Sequence, residues 1–220
     1  MLLCNDGVTV CVTSCGRWDL LYRSLSSFLE WNTYPVYEVL VWEDGGVGVP
    51  DNLGSLGLGS RLRLLGGDRW RGQVSAVDGM YSEVGTGYIF HMEDDWEFYR
   101  GGFIEASKLV LDVYSDISVV WLRELWDTNG HGFSVDGRGL RLMDVGYNGW
   151  HGFTFNPGLR RLGDWLLLGG YGSYVNFDLS CPWRSEMVIG GEYYRRGYRA
   201  VILGEGYVRH IGGGRHIGGF

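Results

Sequence analysis

The sequence predicts an α/β fold built around a mostly parallel, mixed central sheet. Two observations support this prediction: the chain opens as strand, helix and strand, and apolar strands end at acidic or glycine-containing turns. Residues 8–13 (VTVCVT) and 36–42 (VYEVLVW) are apolar runs typical of buried strands. Residues 19–31 between them have apolar side chains at helical spacing, with Asp19 as the predicted N-cap. A strand–helix–strand unit of this kind begins a parallel sheet.

The rest of the chain continues this alternation. The predicted strands are residues 61–65, 88–92, 117–122 and 200–203, and the predicted helices are residues 73–83, 103–114, 161–168 and 186–196. Residues 47–60 and 204–220 are glycine-rich and are predicted to be loops, whereas residues 128–149 are irregular or form a hairpin.

Size and charge limit the classes of function. With 220 residues and a 45% hydrophobic fraction, the chain has enough apolar residues for one domain, 1–220, and a second core would be cramped. The net charge of -7 and the absence of a basic stripe argue against nucleic-acid binding. The aromatic fraction of 15% fits either a dense core or a groove whose rings stack on sugars or bases.

The cysteines and the apolar runs indicate a compartment. None of the four cysteines, Cys4, Cys11, Cys15 and Cys181, forms a CxxC pair, so we expect free thiols and no zinc site. We see no charged leader followed by an apolar stretch, and no apolar run near the ~20 residues that span a bilayer. We therefore expect a cytoplasmic protein without a transmembrane segment.

An acidic triplet follows the predicted strand at residues 88–92. The segment HMEDDW places Glu93, Asp94 and Asp95 directly after an apolar run. Ligands of open α/β sheets bind beyond the carboxyl ends of the strands, and three carboxylates there repel one another unless a cation lies among them. Hard divalent ions such as Mg²⁺ and Mn²⁺ take oxygen ligands and bridge to phosphates. The alternative interpretation is a solvated acidic turn.

A second acidic pair ends the strand at residues 36–42. Glu43 and Asp44 lie where a carboxylate can accept hydrogen bonds from a base or a ribose. The alternative is an ordinary turn, because Asp-Gly is a strong turn pair.

In their order and spacing, these segments resemble the GT-A glycosyltransferases of the family 2 type over nearly the whole chain. The resemblance is found in VTVCVTSCGR, VLVWEDGG, RGQVSAVDGMY, HMEDDW and SEMVIGGEYYRRGYRAVI. It implies a three-layer α/β/α sandwich and a metal-dependent, inverting transfer of a sugar from a nucleotide sugar to a glycan or other hydroxyl acceptor. Residues 1–100 would be the nucleotide-binding half and residues 101–220 the acceptor half. The compactness of the chain is similar to that of small viral members.

The resemblance also implies roles for individual residues. Asp95 would bind Mn²⁺ or Mg²⁺, and His210 from the glycine-rich tail would be an additional ligand, with His216 a weaker candidate. Glu186 would be the catalytic base. The residues expected to hold the donor, a UDP, GDP or dTDP sugar, are Thr13, Arg17, Asp44, Arg71, Glu93 and Asp94. Trp150 and His151 are candidate acceptor contacts.

Two departures from the family pattern leave alternatives open. Glu93 replaces the first Asp of the metal motif, and Ser185-Glu186 stands where two acids are usual, with Glu192 as a second candidate base. Glu186 could also be a first-turn acid that complements the helix dipole. A catalytically inactive nucleotide- or glycan-binding module is therefore an alternative function. A nucleotidyltransferase is another, but the loop after the first strand is short and poor in basic residues. A zinc hydrolase is disfavoured because no HExxH helix is present.

Overall fold

The computed structural model describes residues 4–46, 51–66, 69–146, 149–175 and 182–214, so Cys181 and His216 lie outside the described residues. Within those ranges the chain forms eleven strands and five α-helices. The strands are β1 (Cys4–Ser14), β2 (Glu38–Glu43), β3 (Leu62–Gly66), β4 (Thr86–Glu93), β5 (Trp96–Phe98), β6 (Ile117–Trp121), β7 (Phe133–Val135), β8 (Arg141–Met143), β9 (Gly158–Arg161), β10 (Arg199–Ile202) and β11 (Val208–His210). The helices are α1 (Trp18–Trp31), α2 (Gln73–Tyr81), α3 (Phe103–Val113), α4 (Leu162–Leu168) and α5 (Pro182–Arg195).

The strands form a mixed, mostly parallel arrangement. The main sheet has the order β3-β2-β1-β4-β9, in which the first four strands are parallel and β9 is antiparallel to β4. A second sheet has the order β6-β10-β8-β7, and its β6 lies beside β9, where Arg161 Nη1 donates to the Ile117 carbonyl at 2.8 Å. A two-stranded ribbon joins β11 to β5. The predicted sheet type is therefore confirmed.

Helices cover both faces of the main sheet and produce three layers. On one face, Val10 of β1 belongs to an apolar cluster that includes Phe28 of α1 and Phe103 of α3. On the other face, Cys11 belongs to a second cluster that includes Val77 of α2 and side chains of α4 and α5. Successive β1 side chains point to opposite faces, so one continuous apolar strand contributes to both clusters. This confirms the predicted α/β/α sandwich.

Several boundaries differ from the sequence-based expectations. Helix α1 begins at Trp18, so Asp19 lies in its first turn and the prediction of Asp19 as N-cap is wrong; Arg17 is at that position. The expected loop at residues 47–60 contains two short 3₁₀ helices, Asp51–Leu56 and Gly59–Arg61. The predicted hairpin is present as β7 and β8, whereas β5, β9 and β11 were not predicted.

The cysteines and the helices are the features on which the expected compartment depends. Cys11 and Cys15 are free thiols, as predicted. No helix among the described residues combines the length and the apolarity needed to cross a membrane. The cytoplasmic location stays a prediction.

Candidate active site

The acidic motif forms the turn between β4 and β5, at the carboxyl edge of the parallel strands. Two serines of α1 fix this turn. Ser24 Oγ donates to the Asp94 carbonyl at 2.7 Å and accepts from the Trp96 N–H at 3.0 Å, and Ser27 Oγ accepts from the Phe98 N–H at 3.0 Å. Sequence reasoning missed both serines, although two hydroxyls three residues apart on an apolar helix face are a detectable signal.

Asp94 is fully buried and is engaged by Arg17. Its Oδ2 accepts from the Ser14 hydroxyl at 3.0 Å and from Arg17 Nε at 3.2 Å, and its Oδ1 forms an ion pair with Arg17 Nη2. Burial raises the pKa of Asp94 to about 6, and the Arg17 charge opposes this rise. Asp94 therefore anchors Arg17 at the acidic turn. The contact of Asp94 with ribose or with metal-bound water stays a prediction.

Asp95 and His210 lie side by side although they are 115 residues apart in the chain. Strand β11 aligns His210 with Trp96 of β5, and the Ile211 N–H donates to the Asp95 carbonyl at 2.8 Å. This pairing brings His210 Nε2 to 3.2 Å from Asp95 Oδ2, and Arg17 Nη1 lies 2.8 Å from the same oxygen. The hydrogen bond to Asp95 raises the pKa of His210, and burial opposes that rise.

These two side chains fit a divalent cation that donor phosphates also hold. Within the described ranges no group of three or more His, Cys, Asp or Glu side chains is arranged to hold an ion. Asp95 and His210 supply one carboxylate oxygen and one imidazole nitrogen that lie 3.2 Å apart. Mg²⁺ commonly uses only one or two carboxylates and completes its shell with phosphate oxygens and water, and imidazole is a common ligand for transition metals. A cation at this position would share Asp95 with Arg17 or would take the place of the guanidinium.

Glu93 is held on both sides by hydrogen-bond donors. Gln73 Nε2, at the first residue of α2, donates to Glu93 Oε1 at 2.7 Å, and Trp96 Nε1 donates to Oε2 at 3.1 Å. Burial raises the pKa of Glu93, and the nearby charges of Asp95 and Glu186 raise it further. Glu186 therefore lies within electrostatic range of the acidic motif.

The predicted nucleoside-binding residues lie at the neighbouring part of the same edge. Asp44 is buried, and its two carboxylate oxygens accept from the Arg71 and Gly72 N–H groups at 2.7 Å each. The Arg71 guanidinium lies 5.5 Å from the centre of the Trp42 ring, and Thr13 is paired with Trp42 in the sheet. Asp44 therefore fixes the loop that begins α2 and places Arg71, which makes Asp44 more than an ordinary turn residue.

Glu186 lies in the second turn of α5 and is half-buried. Its Oε1 accepts from the Phe155 N–H at 2.6 Å and from Thr154 Oγ1 at 2.9 Å. Burial raises the pKa of Glu186, and these two hydrogen bonds oppose that rise. Both of the hydrogen bonds that Glu186 accepts from described residues therefore reach the same oxygen, Oε1. Because the first turn of α5 contains no acid, the helix-dipole alternative for Glu186 is wrong.

The second candidate base, Glu192, and the candidate acceptor contacts, Trp150 and His151, have less support from their surroundings. Glu192 pairs with the arginines that follow it on and beyond α5, with Arg196 Nη1 2.6 Å from Glu192 Oε2. Trp150 is buried, and its Nε1 donates to the Phe153 carbonyl at 2.8 Å. Its burial places Trp150 in the core and does not support a contact with an acceptor. His151 is half-buried, and its acceptor contact stays a prediction.

Comparison with known proteins agrees with this fold. No protein-family model and no curated protein matches the sequence. The structure is similar to the mannosyltransferase PcManGT from Pyrobaculum calidifontis in complex with GDP-Man and Mn²⁺, with TM-score 0.61, 15% identity and coverage of 91% of this chain and 57% of that chain. It is also similar to S. aureus TarS 1–349 in complex with UDP-GlcNAc, with TM-score 0.63, 13% identity and coverage of 92% and 57%. The chain thus spans less than three fifths of each of these structures. At these identities the likeness establishes the fold, which is that of the GT-A glycosyltransferases.

Proposed function

We propose that this chain is a metal-dependent, inverting glycosyltransferase of the family 2 type, which transfers a sugar from a nucleoside diphosphate sugar to an acceptor hydroxyl. The observation that most supports this proposal is that the Asp95–His210 pair and Glu186 lie at the same edge of a GT-A sheet. Glu186 is bound to Phe155, just before β9, and the start of β9 lies beside the carboxyl end of β4. Structures with the same fold hold GDP-Man with Mn²⁺, or UDP-GlcNAc. The proposal extends that chemistry to this shorter chain.

The donor would lie along the carboxyl edge of β1, β2 and β4. The residues proposed to hold its nucleoside and phosphates are Thr13, Arg17, Asp44, Arg71, Glu93 and Asp94. A Mn²⁺ or Mg²⁺ ion held by Asp95 and His210 would neutralise the charge that grows on the leaving diphosphate. Arg17 contacts both Asp94 and Asp95, so its guanidinium is placed to exchange a carboxylate partner for a phosphate oxygen.

Glu186 would act as the base. The acceptor hydroxyl transfers its proton to Glu186 Oε2 while its oxygen attacks the anomeric carbon of the donor sugar. The bond between that carbon and the diphosphate oxygen breaks, and its electron pair leaves with the diphosphate. The two hydrogen bonds to Oε1 hold the carboxylate in one orientation, and Oε2 would receive the proton of the incoming hydroxyl.

Thermal unfolding with UDP, GDP and dTDP, each with and without Mn²⁺, tests the donor site. A ligand that binds only the folded state at about 100 times its Kd adds about 2.7 kcal/mol to the free energy of unfolding. For a chain of this size that corresponds to a rise in Tm of roughly 5–10 °C. We expect one nucleotide to produce this rise only when Mn²⁺ is present. No rise with any nucleotide would contradict the proposed donor site.

Substitutions separate binding from transfer. Asp95→Asn is expected to abolish the Mn²⁺-dependent part of the rise in Tm. Glu186→Gln is expected to keep the rise and to lower the rate of sugar transfer about 10²- to 10⁴-fold, the usual contribution of a general base. Glu192→Gln, on the same helix, is the matched control and should transfer sugar at the parent rate. A chain that binds nucleotide but neither hydrolyses nor transfers the donor sugar would be a binding module.

A further inference from the structure

Arg160 is a buried cation without a carboxylate partner among the described residues. It lies on β9, it is 3% exposed, and its Nη1 donates to the Tyr81 hydroxyl at 2.8 Å. Its guanidinium lies 5.1 Å from the Phe153 ring centre and 5.6 Å from that of Phe155. An isolated buried charge is strongly unfavourable unless hydrogen bonds and a nearby opposite charge compensate it. Burying the Arg160 charge therefore costs stability, which suggests that Arg160 has a function at this position.

A short chain of contacts connects Arg160 to the proposed base. Arg160 Nη2 donates to the carbonyl of Thr154, and the hydroxyl of Thr154 donates to Glu186 Oε1 at 2.9 Å. The next residue, Phe155, donates its N–H to the same oxygen at 2.6 Å. The Asn156 N–H donates to Thr154 Oγ1 at 3.2 Å and leaves the hydroxyl proton directed at Glu186. Arg160 thus fixes, from inside the core, the turn that anchors the carboxylate.

We propose that Arg160 is a positioning residue for Glu186. Arg160 holds the Thr154–Phe155 turn against Glu186 Oε1 and supplies the positive charge that keeps the half-buried carboxylate ionised. The inference rests on the proposed function, in which Glu186 is the base. Arg160 acts through Thr154 and does not touch the substrate. A base must be ionised before it can accept a proton, so both effects serve the same step.

Three charged groups face Glu186 from the neighbouring strands. Arg160 on β9 and Arg123 beyond the end of β6 lower the pKa of Glu186, although burial has the larger effect and raises it. Glu93 on β4 is the negative group, and its interaction with Glu186 is unfavourable to ionisation. Arg123 already forms an ion pair with Asp127, with Nη2 2.7 Å from Oδ1. Arg160 has no such partner among the residues that the structure describes, so we take its charge as the one that compensates Glu186.

The sign of the expected pH effect follows from this arrangement. The rate of transfer rises with pH as Glu186 loses its proton, and a nearby cation favours the ionised form. Removing the positive charge of Arg160 raises the pKa of Glu186. The acid limb of the kcat profile, which is the part that rises with pH, therefore moves to higher pH. A lysine in place of Arg160 keeps the positive charge but loses the forked hydrogen bonds of the guanidinium. The acid limb then stays in place, and kcat falls because the Thr154–Phe155 turn is no longer held.

The experiment measures kcat, KM for the donor and the pH profile of kcat at saturating Mn²⁺. For Arg160→Gln we expect kcat to fall about 10- to 100-fold, which corresponds to one lost charge-assisted hydrogen bond. The KM for the donor should not change, and the acid limb should move to higher pH. For Arg160→Lys we expect a smaller fall and an unshifted acid limb. Arg161→Gln is the matched control, because Arg161 donates to the carbonyl of Tyr114, just after α3, and to that of Ile117, at the start of β6. This variant should lower Tm without moving the acid limb.

Thr154 keeps the proposal testable if the Arg160 variants do not fold. Thr154→Val removes the hydroxyl that donates to Glu186 and accepts from the Asn156 N–H, so it should lower kcat and shift the acid limb to higher pH, and Thr154→Ser should restore both. An acid limb that is unmoved in Arg160→Gln and in Thr154→Val would overturn the proposal. If Glu186→Gln itself transfers sugar at the parent rate, the base assignment of the proposed function fails instead. If Glu186→Gln is inactive and the acid limb stays unmoved, only the role of Arg160 fails.

Discussion

Gly212 is the residue whose missing side chain leaves room for the Asp95–His210 pair. A Cβ atom at Gly212 would lie 2.7 Å from Asp95 Oδ2 and 2.8 Å from His210 Nε2. Both distances are shorter than any relaxed contact to carbon, and both atoms are the proposed metal ligands. The backbone of the tail therefore passes over the pair at a distance that only glycine allows.

Gly212→Ala is predicted to impair metal binding while the fold persists. The added methyl group must displace Asp95 or His210, so the Mn²⁺ concentration needed for half of the nucleotide-dependent rise in Tm should increase at least about tenfold, in keeping with supporting residues of metal sites. Gly137→Ala is the control, because a Cβ there meets nothing within 4 Å. Equal Mn²⁺ midpoints for both variants would contradict the placement of the metal.

The sequence can locate the proposed site residues that follow a strand or lie near a helix start, but not those whose placement depends on a distant partner. Asp95 follows an apolar strand, and Glu186 lies on a predicted helix, so local pattern locates both. The contact between Arg17 and Asp94 joins residues 77 positions apart, and no local pattern indicates it. Arg160 was missed for the same reason, because its hydrogen bond to Tyr81 spans 79 positions.

At the scale of elements, helix α2 lies unusually close to strand β2. A Cβ atom at Gly79 of α2 would lie 2.6 Å from ring atom Cζ3 of Trp42 and 2.7 Å from Cη2. Trp42 is largely buried, and its ring belongs to the same apolar cluster as Val77. Packing against Trp42 therefore favours glycine at position 79, and backbone geometry does not, since Gly79 lies in a helix and its φ is not positive.

Two glycine-to-alanine substitutions inside helices are predicted to have opposite effects on stability. Gly79→Ala should lower the free energy of unfolding by about 1–3 kcal/mol, the usual effect of an overpacked core, despite the better helix propensity of alanine. Gly191→Ala in α5 should raise it by about 0.5–1 kcal/mol, because a Cβ there meets only Arg195 Nη1 at an ordinary 3.6 Å. Urea unfolding measures both changes, and a stabilising Gly79→Ala would contradict the close packing of α2 on β2.

The elements that sequence reasoning found are the ones with a strong local pattern. The apolar runs of β1, β2, β4 and β6 and the amphipathic helices are all present within a few residues of their predicted bounds. Strands β5, β9 and β11 have three or four residues each and contain charged side chains. They exist because β9 pairs with β4 and β11 pairs with β5, and such long-range pairing leaves little trace in a short segment.

At the scale of the whole molecule, neither predicted half has a core of its own. The cluster around α1 and α3 joins Val10 and Phe90 to Ile117 and Val201. The cluster on the other face likewise combines side chains of α2 with side chains of α4 and α5. Strands from the second half also complete the first, because β9 extends the main sheet beside β4. The boundary at residue 100 therefore separates two proposed functions, and it does not separate two units that would fold independently.

We predict that the 220-residue chain unfolds in a single cooperative transition. Because both apolar clusters combine side chains from the two halves, opening one half exposes the other, and scanning calorimetry should give equal calorimetric and van't Hoff enthalpies. A fragment of residues 1–100 should lack the cooperative transition, since it loses β9 from the main sheet and β11 from the ribbon. Two separate transitions would mean that each half is stable alone. The site combines Asp95 from the first half with His210 and Glu186 from the second, so it would then form only when two independent units dock.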